Sequence, residues 1–159
     1  MNQSEPLVIF HLDEGRYALR LSAVERVLRA VEVTPLPEAP EIVEGAINVQ
    51  GLITPVINLR KRFDLPAQDL SLNDRFIIAR TSRRIVALRV DSVSGVVEPS
   101  EQEIIPAEAV LPDGHIEGVI KGKDGLILIT HLDQFLSLEE EERLHHAIEG
   151  SKKQQEGEP

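Results

Sequence analysis

At 159 residues the chain has room for one ordinary domain, or for two small ones that share a core. Its formal net charge of −10 argues against nucleic acid, whose binders need cations to displace phosphate counterions. Cys is absent, which excludes disulfides, thiolate metal sites and cysteine catalysis together. Hydrophobic residues make up 42 % but aromatics only 3 %, so Val, Ile and Leu must fill the interior. The stiff χ1 of β-branched residues suits a pleated surface, and the balance favours strands. The first residues are polar, without a basic or apolar leader, and no apolar run approaches the roughly 20 residues that span a bilayer. The chain reads as soluble and cytoplasmic.

In chain order, Leu7-Val8-Ile9-Phe10 begins a strand, and Asp13-Glu14-Gly15 supplies a turn before Tyr17-Ala18-Leu19-Arg20-Leu21. Ser22 with Glu25 has the spacing of a capping box and predicts a short helix, after which residues 27–33 are again strand-like. Pro35, Pro37 and Pro40 mark a loop. Residues 44–50 and 52–58 read as a hairpin turning at Gly51, and a polar connection over 66–74 follows. Further strands are expected at 75–80, 85–90 and 93–98. A Pro-bearing loop then precedes strands at 116–121 and 126–130, joined by a Lys123-Asp124-Gly125 turn. Ser137 and Glu140 form a second capping box, opening a helix over 138–149 that ends before Gly150; residues 151–159 read as a disordered tail.

The chain also repeats itself. Residues 18–27 align without gaps on 87–96, an offset of 87 − 18 = 69, with Ala, Leu, Arg and two Val identical. Glu44-Gly45-Ala46-Ile47 matches Glu117-Gly118-Val119-Ile120 at 117 − 44 = 73. Similarity at a fixed period means two copies of one supersecondary unit, here of about five short strands each. Such a unit removes its exposed edges by closing as a small barrel, and two sheets this small must pack on each other to bury enough surface.

A search for chemistry finds little. His145 and His146 are adjacent and cannot share a metal as an i, i+4 pair would, and His11 and His131 have no carboxylate at ligand spacing. Ser94-Gly95 is the nearest approach to a nucleophile turn, yet it lies inside the repeat. No Gly-rich loop opens a helix. Arg60-Lys61-Arg62 and Arg80, Arg83, Arg84 are small cationic clusters that suit solvent or an acidic protein partner, and the run 139–142 suits a helix start. No catalytic, cofactor or metal residues are expected; small barrels of this kind bind through grooves and strand edges.

The stretch 45–60, Gly45-Ala46-Ile47-Asn48-Val49-Gln50-Gly51 through Asn58-Leu59-Arg60, resembles the signature of CheW domains: a strand ending in Asn-x-Arg-Gly, an apolar strand with Pro, and a closing Asp-Leu-Arg. Residues 90–97 and 118–129 add further matches, and the likeness extends over about 7–148. It departs from the family pattern in Gln50, Asn58 and Arg26, where the family has Arg, Asp and often an acidic residue. The resemblance implies a mainly β fold of two pseudo-symmetric five-stranded SH3-like barrels on a shared apolar core. It implies one domain over 1–150, with barrels at roughly 15–80 and 81–135 and an exchanged N-terminal strand. It further implies a non-enzymatic adaptor, recruited to membrane-associated receptor arrays, that links the cytoplasmic tip of a chemoreceptor to the regulatory domain of a CheA-type histidine kinase. No cofactor, nucleic acid or membrane insertion is implied. Val24, Arg26, Gly45, Asn48, Gln50, Gly51 and Arg60 are the expected partner-binding residues. Two other readings stand beside it: a self-associating module of a divergent, non-motility pathway, and a hydrolase using His131 and Asp133 between the barrels.

Overall fold

The structure is a computed structural model and describes residues 5–106, 114–122 and 125–156, the side chains up to Gly150. Eleven strands dominate: β1 (Leu7–Leu12), β2 (Gly15–Arg20), β3 (Val24–Arg29), β4 (Val43–Val49), β5 (Leu52–Ile57), β6 (Arg75–Arg80), β7 (Ile85–Val90), β8 (Ser92–Val97), β9 (Ile104–Pro106), β10 (Ile116–Gly122) and β11 (Gly125–Thr130). Two helices join them, α1 (Leu59–Arg62) and α2 (Leu138–Glu156).

The strands form two sheets, β8-β1-β2-β11-β10-β9 and β3-β6-β7-β5-β4. Replacing β1, β2, β8, β10 and β11 by β6, β7, β3, β4 and β5 turns the first order into the second, with β9 left over. The repeat offsets hold at the level of single pairs. Ile9 faces Ala18 as Ile78 faces Ala87, and Ala18 faces Ile129 as Ala87 faces Val56. Even β9 has a remnant: Val119 faces Ile105, and its mate Ala46 makes an isolated bridge to Thr34.

Each sheet forms a small SH3-like barrel. Alternation along the strands divides their apolar residues between two interiors. Ile9, Ala18, Ile120 and Ile129 fill the six-stranded barrel, while their mates Ile78, Ala87, Ile47 and Val56 fill the five-stranded one. Phe10, Leu12 and Leu19 turn the other way, as do Ile77, Ala79 and Leu88, and together they build the core shared by the barrels. Four of the chain's few aromatics gather there: Tyr17 stacks on Phe10 and Phe63 with ring centroids at 5.6 and 5.0 Å, and Phe63 meets Phe135 edge-on at 5.8 Å. Helix α2 seals this core with Leu144 and Ile148, one turn apart on the same face.

Several sequence expectations are corrected here. The Ser22 box does not cap a helix; the chain makes one 3-10 turn (Leu21–Ala23), the Ser22 hydroxyl donates to Glu5 at 3.2 Å, and strand begins at Val24. Strand β9 lies where a loop was expected. The boundary between barrels falls near residue 91 rather than 80, because β7 pairs with both β6 and β5 and belongs to the five-stranded barrel. The N-terminal hairpin β1–β2 completes the six-stranded barrel. Helix α2 passes through Gly150 to Glu156; one helical Gly costs only about 1 kcal/mol against its neighbours. The turn residues Lys123 and Asp124, and tail residues 157–159, lie outside the described residues.

Candidate partner-binding surface

The hairpin β4–β5 closes with two residues, Gln50 and Gly51, between paired Val49 and Leu52. Both have positive φ, 51° and 87°, as the twist-compatible type I′ turn requires. Asn48 stabilises the turn by accepting from the Gly51 amide at 2.7 Å. Left-handed backbone at a residue with a Cβ costs about 1–2 kcal/mol, so Gln50 is held where it is by its surroundings. Its exposed side chain accepts from Arg26 Nη2 at 3.4 Å. Arg26 is exposed on β3, two residues after half-buried Val24, which packs against the shared core. Two of the three positions where the sequence leaves the CheW pattern therefore face each other: the guanidinium stands on β3 and the neutral partner on the hairpin tip.

Five expected residues, Val24, Arg26, Asn48, Gln50 and Gly51, thus lie on β3 and the facing hairpin tip. Two do not belong with them. Gly45 is buried, and a Cβ there would lie 2.2 Å from the Thr34 carbonyl oxygen, so this glycine admits the neighbouring chain rather than a partner. Arg60 is only 5 % exposed. Its Nη2 donates to Asp13 and Asp91, both at 2.8 Å, and its Nη1 donates to the Pro66 carbonyl at 3.1 Å. The hydrogen bond to Asp13 raises its already high pKa, burial opposes this, and Asp91 reinforces it. A sequence run of three cations gives no sign that the first is buried.

Sequence reasoning missed a cavity of about 410 Å³ at the seam between the barrels, lined among others by Arg20, Ser22, Arg80, Ser82, His131 and Asp133. Arg80 bonds Glu25 at 3.2 Å, tying the cavity rim to β3 beside Arg26. His131 and Asp133, the residues of the hydrolase reading, both line it, but an Asp133 oxygen is engaged by the Ser82 amide at 2.8 Å. Among the described residues no group of three or more His, Asp or Glu is placed to hold a metal. The repeat could have located the cavity, since Arg20 and Glu117 are the mates of Arg89 and Glu44. Both pairs form ion pairs at 2.6 Å. Burial raises the Glu44 pKa, and Arg89 offsets this only in part.

A twin-barrel body of this kind, with an exposed polar cluster on one strand and hairpin, is a binding scaffold in class. The family model described as "CheW-like domain" matches residues 6–140. The chain is 30 % identical to the chemotaxis protein CheW of Bacillus subtilis over 138 residues, 85 % of this chain and 88 % of that one. It is 27 % identical to the chemotaxis protein CheW of Rhizobium meliloti over 144 residues, 89 % and 93 % of the two chains. The crystal structure of scaffolding protein TtCheW from Thermoanaerobacter tengcongensis superposes with a TM-score of 0.78 at 34 % identity, covering 88 % of this chain and 96 % of that one. The chain belongs to the CheW-like domain family, and its function class is that of a chemotaxis adaptor.

Proposed function

We propose that this chain couples a chemoreceptor to a CheA-type histidine kinase by holding both at fixed positions on one stiff body, in the cytoplasm beside membrane-bound arrays. The observation that carries the reading is the family match over 6–140 on a fold whose two barrels share a single core. The surface of Val24, Arg26, Asn48, Gln50 and Gly51 receives the receptor's helical tip, and strand ends of one barrel receive the kinase's regulatory domain. Holding two partners together raises their effective concentration with no bond made or broken, so the adaptor needs no catalytic group. No helix among the described residues is long and apolar enough to cross a membrane, which fits recruitment through the receptor. Reconstitution with a receptor and a kinase from the same genome tests the proposal. Co-sedimentation of all three, dependent on this chain, is expected; failure to associate with either partner overturns it.

A further inference from the structure

The seam between the barrels is closed differently on its two sides. On one side Arg60, on α1 beside the five-stranded barrel, reaches Asp13 in the β1–β2 turn and Asp91 at the β7–β8 junction, both at 2.8 Å. Asp91 also accepts from the Asp13 amide at 2.7 Å, and its own amide donates to the His11 carbonyl at 2.9 Å. These bonds tie the N-terminal hairpin of one barrel to the helix of the other. On the opposite side the repeat sends Asp13 to Ser82, since 13 + 69 = 82, and Asp91 to Ser22, since 91 − 69 = 22. It sends Arg60 to Asp133, since 60 + 73 = 133. All three mates line the cavity of about 410 Å³. The ionic cluster has been replaced there by open space and the Ser82–Asp133 hydrogen bond.

We infer that Arg60 is a positioning residue: a one-sided latch that fixes the angle between the barrels and, through it, the width of the cavity across the seam. The shared core is apolar and holds the barrels together by packing, with no directional bond of its own across the seam. A planar guanidinium bonded to two carboxylates is directional and defines the angle between them. The Arg60 side chain is 6 % exposed, whereas those of Asp13 and Asp91 are 42 % and 30 % exposed. Removing the cation therefore leaves carboxylates that water can reach. The fold survives and the constraint is lost, which turns the seam into a hinge. The consequence for signalling rests on the adaptor reading; the mechanical statement does not.

The full chain contains no Cys, so paired spin labels can be placed at exposed Leu72, in the loop before β6, and at Leu126 on β11. The parent protein is expected to give one narrow inter-label distance, and Arg60→Gln and Asp13→Asn a broadened one. Without labels, both variants are expected to bind receptor and kinase separately as the parent does, yet to lose about tenfold in receptor-dependent kinase activation, because coupling depends on geometry. Asp13→Asn keeps the test decisive if Arg60→Gln does not fold. A narrow distance in the folded variants overturns the latch; a broadened distance with full coupling overturns its consequence for signalling. If the parent chain binds neither partner, the adaptor reading falls instead, and the distance measurement still decides the latch.

Discussion

Arg26 donates to the side-chain carbonyl of Gln50 at 3.4 Å, and this bond spans the two outer strands of the five-stranded sheet, from β3 at one edge to the tip of the hairpin that carries β4 at the other. The turn geometry and the bond make different demands on position 50. Gln50→Asn puts the best residue for a type I′ turn before Gly51 but shortens the side chain. Stability is expected to rise by about 0.5 kcal/mol in denaturant titration, while receptor association weakens because Arg26 loses its partner. Gln50→Arg sets two cations face to face at an exposed site. It is expected to change stability by less than about 0.5 kcal/mol yet to alter receptor affinity measurably by calorimetry.

Gly45 and Gly118 are repeat mates with unequal surroundings. A Cβ at 45 meets backbone, the Thr34 oxygen at 2.2 Å; at 118 its nearest neighbours are the Ile104 Cγ2 methyl at 2.9 Å and the Ile105 carbonyl oxygen at 3.3 Å. The second overlap is the smaller one and needs a smaller shift to relieve it. Gly45→Ala is expected to cost about 3 kcal/mol and Gly118→Ala about 1 kcal/mol in chemical unfolding. Equal losses would show that the two barrels yield alike.

Acid should weaken the start of α2. Glu140 accepts from the Ser137 amide at 2.8 Å and from Arg62 at 2.8 Å. Burial pushes its pKa up, but the Ser137 amide and Arg62 outweigh it and the net shift is downward. A carboxylate depressed in the folded state contributes stability that is full above its ordinary value and is lost as pH falls through the folded one. Melting temperature should therefore drop below about pH 4.3. Glu140→Gln is expected to cost about 1–2 kcal/mol at neutral pH and to flatten that acid limb.

The docking of α2 is expected to depend on its first three turns. Leu144 is fully buried and Ile148 nearly so, both in the shared core. Leu144→Ala should cost about 2–5 kcal/mol. Deleting residues 151–159 should leave both the melting temperature and partner association unchanged, since those anchors precede the cut; a weakened complex would place binding in the helix extension.

What the sequence revealed followed from short-range signals. Short apolar, β-branched runs located β6 and β7 to the residue, and the 69 and 73 offsets reappeared as strand pairs. What it concealed depended on partners distant in the chain. Ser22 has a capping-box spacing, but its hydroxyl is taken by Glu5. The boundary after residue 80 was misplaced because β5 and β7 pair in parallel across 27 intervening residues, a pairing that no local pattern announces. Arg60 read as a surface cation because burial by Asp13 and Asp91 is a property of the seam. Asn48, Gln50 and Gly51 were legible because a tight turn is written in adjacent residues, whereas the cavity opposite Arg60 required folding the repeat onto itself.

The hairpin of β1 and β2 leaves the ribosome well before its sheet neighbours β8 and β11, which are encoded some 80 to 110 positions later. The intervening five strands can settle meanwhile, because all their partners lie among themselves. Nascent Leu7 and Ile9 must wait until β10 and β11 emerge to complete their cluster. Translation speed and holding chaperones should accordingly bear on the yield of this chain more than its modest size suggests.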